Sequence, residues 1–160
     1  MQRFLIVAGL LVSLAGCAGR VERQVLRAYF DACALADDTA LADLALVALD
    51  PRRDGVVGHF TVTSLSPIRL RQSDAPTLVR LSLPDPPPDS APGPPGLEWR
   101  DIDVDAELHG PREVRDAAIR VTIARARVDG TVGRWIVVRL VLDGRILPAA
   151  SSDRLLESVR

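Results

Sequence analysis

Lysine and asparagine are missing from this 160-residue sequence, and all 20 of its basic residues are arginine. That bias reads as the codon usage of a GC-rich genome and carries no binding chemistry. An excess of charge is missing too, since the formal net charge is −1 and the pI about 6.1. A nucleic-acid partner, which needs a strongly basic face, therefore has no support in the bulk composition. There is no GxSxG, no HExxH, no CxxC and no phosphate-cradling glycine loop, so the commonest exported hydrolases leave no signature here. No catalytic residue, cofactor or metal ligand is assigned on these grounds. Beyond the first 16 residues no apolar run approaches the roughly 20 residues of a spanning helix. The full sequence is 48% hydrophobic and 26% charged, a composition that supports one packed domain rather than disorder.

Residues 1–16 combine Arg3, an apolar run from Phe4 to Val12 and small residues before a cysteine, the layout of a cleaved signal peptide. Leu14-Ala15-Gly16-Cys17 resembles the lipobox of bacterial lipoproteins. That resemblance implies acylation of the Cys17 thiol by diacylglycerol and cleavage that leaves Cys17 as the first residue. Residues 17–20 would then be a lipidated N-terminus and short tether, 21–148 a single α+β domain, and 149–160 a C-terminal tail. A multiply acylated cysteine anchors durably where a single chain does not. In families sorted by the residue after the cysteine, aspartate favours inner-membrane retention; Ala18 here favours the periplasmic face of an outer membrane in a Gram-negative cell. With Cys17 lipidated, Cys33 has no disulfide partner, and its helical spacing from Tyr29, Phe30 and Ala36 predicts a small buried core residue.

From Val21 to Leu49 apolar residues recur at three and four: Val21, Val25, Leu26, Tyr29, Phe30, Cys33, then Leu41, Leu44 and Ala48. This periodicity predicts amphipathic helix. Arg27 and Asp31 form an exposed i,i+4 pair, Asp37-Asp38-Thr39 offers an N-cap that restarts the helix as a second piece, and Asp50-Pro51 stops it. Past a turn at Arg53-Asp54-Gly55 the period becomes two. Val56, Phe60 and Val62 are expected inward, opposite His59, Thr61 and Thr63, until Ser66-Pro67 ends the strand. Thr77–Leu83 reads as a second strand, and the seven prolines between Pro84 and Gly96 as a solvated loop over 84–96.

Ile102, Val104, Ala106 and Leu108 then alternate with Asp101, Asp103, Asp105 and Glu107, giving a strand with one acidic face. A turn at Gly110-Pro111 leads into Ala118–Val128, whose change of parity suggests a bulge near Ala124 or Arg125. Asp129-Gly130 opens a six-residue turn. Trp135–Leu142 is apolar at both parities except at Arg139, which predicts a central strand covered on both faces. Asp153–Arg160 is read as a short helix.

Carboxylates two apart on a strand, as in this acidic row, share one face and could in principle hold a hard cation. Alternate strand residues lie about 6.6 Å apart, too far to converge on one ion, and pairing across the turn with Arg120, Arg125 or Arg127 accounts for the row better. Among titratable groups, His59 and His109 have the ordinary pKa nearest neutrality, and neither has an evident catalytic partner.

A helical hairpin followed by four to six mostly antiparallel strands is an α+β order. Val25-Leu26-Arg27-Ala28-Tyr29-Phe30-Asp31-Ala32-Cys33, Asp54-Gly55-Val56-Val57-Gly58 and Gly133-Arg134-Trp135-Ile136-Val137-Val138 together resemble the NTF2-like superfamily, which includes SnoaL-like and ketosteroid-isomerase-like proteins. The resemblance implies a curved sheet closed on the helices as a cone, with an open end able to hold a small ligand. Members serve as binding or assembly modules or as enzymes; Tyr29, His59 and Asp103 are the side-chain types available, though none falls on a family motif. The expectation is a non-catalytic envelope lipoprotein that binds a protein partner or small apolar ligand. The rival is a small enzyme acting on a hydrophobic substrate in the cone.

Overall fold

A computed structural model describes residues 19–72, 96–128 and 131–149. The segments expected to form a signal peptide and lipobox, a strand over Thr77–Leu83, a proline loop, a turn at Asp129-Gly130 and a C-terminal helix lie outside the described residues. Within them the fold is α+β, with two helices followed by an open sheet of seven antiparallel strands.

Helix α1 (Arg20–Leu35) buries Glu22, Leu26, Tyr29, Phe30, Ala32 and Cys33. That stripe follows the predicted spacing, except that Val21 is exposed and the neighbouring Glu22 takes the inward position. At the other end Ala36 adopts the left-handed conformation (φ 49°), and the N–H of Asp37 reaches the Ala32 carbonyl at 3.0 Å, closing the helix as a Schellman motif. Asp37 then caps α2 (Asp38–Leu44), accepting from the Ala40 N–H at 3.0 Å. The predicted restart is thus observed. Helix α2 ends sooner than expected: Ala45 is already extended, and Val47 and Leu49 are buried at strand-like spacing. Leu46 donates to the Val137 carbonyl at 2.8 Å, so this segment occupies part of the free edge of a later strand.

The strands are β1 (Val56–Leu65), β2 (Arg69–Gln72), β3 (Gly96–His109), β4 (Val114–Val128), β5 (Thr131–Val132), β6 (Ile136–Leu142) and β7 (Arg145–Ile146). Their order is β1-β3-β4-β6-β7, with β2 beside β3 and β5 beside β4. Gly96 opens β3 rather than closing the proline loop, and β2 and β7 were not anticipated. Thr131 pairs directly with Val128, an earlier return than the six-residue turn predicted. Asp143 and Gly144, both at positive φ (47° and 80°), turn β6 into β7, as a type I′ hairpin requires.

One face of the sheet is filled by α1. Ile102, Val104, Ala106 and Leu108 of β3 and Ile119, Val121 and Ile123 of β4 are buried against Leu26, Tyr29, Phe30 and Cys33. Phe30 bridges two rings, with centroids 5.3 Å from Tyr29 and 5.2 Å from Phe60. The Tyr29 hydroxyl donates to the Val47 carbonyl at 3.1 Å, so the one polar atom of that ring is satisfied inside the core.

Three strand expectations are corrected. In β1 the register skips at Gly58, which turns Val57 inward and leaves Val56 off the core. The β3–β4 register is unbroken, so β4 has no bulge against β3; the irregularity lies in β6, where Val138 is skipped between Arg139 and Val137. That skip also explains why Trp135–Leu142 is apolar at both parities. It switches the buried set from Val137 to Leu140 and Leu142 on one face, whereas the other face is only half covered.

Candidate functional site

On the face turned away from α1, β3 displays Asp101, Asp103, Asp105 and Glu107 in the predicted row, with β4 alongside. Asp103 faces Arg120, whose Nε donates at 2.6 Å; that hydrogen bond raises the pKa of the already basic guanidinium. Asp101 accepts from the Thr122 hydroxyl at 2.7 Å. Asp105 faces Ala118 and Thr61 and makes no ion pair among the described residues. Of the three arginines expected opposite the acids only Arg120 is there. Arg125 and Arg127 lie on the other face, clamping the buried Glu98 at 2.7 and 3.2 Å, because they share parity with Ile123 in an unbroken ladder.

Beside the row lies an open groove of about 600 Å³ lined by Asp101, Asp103, Asp105, Arg120, Thr122 and Arg139, with Val141 and Ile146 on its β6–β7 side. Arg139 sits opposite Thr122 and is exposed, without an ion pair among the described residues. Among the described residues the groove therefore offers one unpaired cation and one unpaired anion, Arg139 and Asp105, on a surface that already carries paired charges. Such a lining suits a polar, extended partner; it has no enclosed apolar volume. The sequence signal for Arg139 was its being the lone charge in an apolar run.

The two histidines lie at one end of the same face, each beside Glu107. His59 is opposite Glu107, and His109 Nε2 lies 2.5 Å from Glu107 Oε1. A Cβ on Gly58 would sit 2.5 Å from the same imidazole nitrogen, so the glycine gives His109 room to lie over β1. The His109 and Glu107 side chains are about half exposed and His59 is exposed, so the group is solvated rather than enclosed. Among the described residues no three His, Cys, Asp or Glu come close enough to hold an ion.

Cys33 and Tyr29 are core residues. Burial pushes the Cys33 thiol up from its ordinary value and the Tyr29 hydroxyl well above its own, which keeps the thiol protonated and poorly nucleophilic. Asp54 is the only buried aspartate among the described residues. Its Oδ1 accepts from Arg145 at 2.7 Å and from Arg53 Nε at 3.0 Å, while Oδ2 accepts from the Asp50 N–H at 3.0 Å and from Arg53 at 2.8 Å. Burial alone would raise its pKa, yet these donors hold it at about 2. A carboxylate so saturated locks the Asp50–Gly55 turn and is a poor base.

Sequence reasoning missed a second polar cluster, on the core side of the sheet at the end where α1 begins. Glu22 pairs with Arg100, Arg100 Nε also donates to the Ser66 carbonyl at 2.9 Å, and Arg125 stacks 4.4 Å over the Trp135 ring. Its signal was present in Glu98 and Arg100, charged residues at the same parity as Ile102. Cys17 lies outside the described residues, and no helix among them is long and apolar enough to cross a membrane. Comparison with known protein families, curated proteins and solved structures returns no match.

Proposed function

We propose that the chain is an envelope lipoprotein anchored through Cys17, whose sheet offers the groove beside the acidic row to a protein partner, without catalysing a reaction. The observation that carries this reading is the division of labour between the two faces of the sheet. One is filled by Leu26, Tyr29 and Phe30 of α1; the other, among the described residues, carries a charged groove in which Arg139 and Asp105 make no ion pair. The anchor rests on Leu14-Ala15-Gly16-Cys17, three residues ahead of α1. The likeness to NTF2-like modules is supported by the order of helices and strands. A small apolar ligand is the weaker choice of partner, because the core face that would form the cone is occupied by α1 side chains.

The test uses a photo-crosslinking residue at Thr122 in native membranes. A discrete protein adduct is expected, with its yield reduced several-fold by Arg139→Glu. No adduct, or one indifferent to Arg139, would remove the groove as the binding surface. In the same preparation Cys17→Ser should move the protein out of the membrane fraction; retention would remove the anchor.

A further inference from the structure

We propose that the end of the fold where α1 begins is a docking surface for anionic phospholipid, pressing the domain against the bilayer that holds its anchor. The inference rests on the Cys17 anchor and adds a second, non-covalent contact to it.

Glu22 joins Arg100, and a Cβ on Gly19 would meet the Leu65 side chain at 2.7 Å, so the first turn of α1 is fixed beside the end of β1 and the start of β3. The same end contains β2, the start of β3, the last residues of β4 and β5, four neighbouring strands that span about 14 Å at ordinary strand spacing. Only Ala18 and Gly19 separate Cys17 from Arg20, so a lipid on Cys17 brings this end, and no other, to the membrane surface.

The exposed chemistry at this end matches such a surface. Five of the nine exposed large apolar side chains among the described residues are here: Val21, Ile68, Leu70, Leu97 and Val132. The remaining four are scattered over other parts of the molecule. Around the five stand Arg20, Arg23, Arg69, Arg71 and Arg127, all exposed. The two acids of this end among the described residues, Glu22 and Glu98, are buried and already committed to Arg100, Arg125 and Arg127. Arg20, Arg23 and Arg71 make no ion pair among the described residues. The opposite end carries acids and arginines in near balance, with Asp54 and Asp143 tied to Arg145, Arg53 and Arg115. Apolar side chains interspersed with arginines on a tethered surface suit the boundary of headgroups and acyl chains, and anionic headgroups supply the complementary charge.

Trp99 provides an internal reporter. It is half-buried next to Leu97, with Arg69 stacked 4.6 Å over its ring, and the other tryptophan, Trp135, is buried. The lipidated full-length protein is reconstituted into vesicles of phosphatidylcholine, with or without about a third of phosphatidylglycerol, and tryptophan quenching by brominated acyl chains is read. The expected result is quenching at least twofold greater in the anionic vesicles and largely abolished by about 0.5 M salt, which screens exposed charges. Arg23→Glu/Arg71→Glu should abolish the difference while the protein still floats with the vesicles; Arg23→Gln/Arg71→Gln, a milder change with folding checked by circular dichroism, should reduce it. Quenching equal in the two lipids, or unchanged by either variant, would overturn the docking surface and leave the anchor intact. Absence of quenching in both, the result if residues 73–95 or another protein occupy this end, would overturn it as well. Failure of the unmodified protein to float with either vesicle would overturn the anchor and the docking surface together.

Discussion

Asp54 shows how a single residue can carry charge inside this fold. Its side chain has no exposed surface, and burial of a lone carboxylate there would be prohibitive. Two guanidinium groups and a backbone N–H make the anion the favoured form and bring the pKa from 3.8 to about 2. A group whose pKa is depressed by folding contributes stability that is complete above its unfolded value and disappears as pH falls through the folded one. The window is therefore pH 4 down to 2, and the shift corresponds to about 2 kcal/mol. Urea denaturation in steps from pH 5 to pH 2 should show this loss. Asp54→Asn should lower stability at pH 7 and flatten that part of the profile; an unchanged acid slope would mean that other carboxylates dominate it.

At the scale of elements, the junction of α1 and α2 depends on Ala36, an L-residue in left-handed conformation where glycine is usual. The conformation costs about 1–2 kcal/mol for a residue with a Cβ, against the extra chain entropy that glycine brings to the unfolded state. Ala36→Gly should therefore stabilise the protein by up to about 1 kcal/mol, seen as a higher urea midpoint at unchanged slope. This junction and the alternation of β3 were legible because each follows a local rule: an aspartate cap and a helix period for one, strict period two over Asp101–Leu108 for the other. The skips at Gly58 and Val138 were not legible. A bulge adds one residue without any composition of its own, and in Val56-Val57 or Ile136-Val137-Val138 either parity offers an equally apolar side chain, so only the partner strand decides. The same limit governed the site. The acidic row could be read from its own strand, but assigning Arg120 to it and Arg125 and Arg127 to Glu98 required the β3–β4 register. Residue pairs such as Glu22–Arg100, 78 positions apart in the chain, have no local signal at all.

For the molecule as a whole, that last pair fixes the geometry between the start of α1 and the sheet, which the proposed anchor would use. Glu22 lies in the first turn of α1, where a carboxylate also favours the helix dipole, and Arg100 joins it to β3 and, through the Ser66 carbonyl, to the end of β1. Both side chains are nearly buried, so removing one partner strands the other in a poorly hydrated site. Glu22→Leu should cost about 2–3 kcal/mol, less than the full penalty for a broken buried pair because Arg100 keeps the Ser66 carbonyl. Glu22→Leu/Arg100→Leu should regain part of that loss, since an apolar pair of similar size replaces the orphaned charge. Hydrogen exchange would locate the effect: amides at the start of α1 should lose protection in the single variant more than amides of the β3–β4 ladder. Uniform loss across both would mean that the pair supports the core at large; loss confined to α1 would show that Glu22–Arg100 is the joint between the helix and the sheet, the joint through which the lipid proposed on Cys17 would orient the sheet.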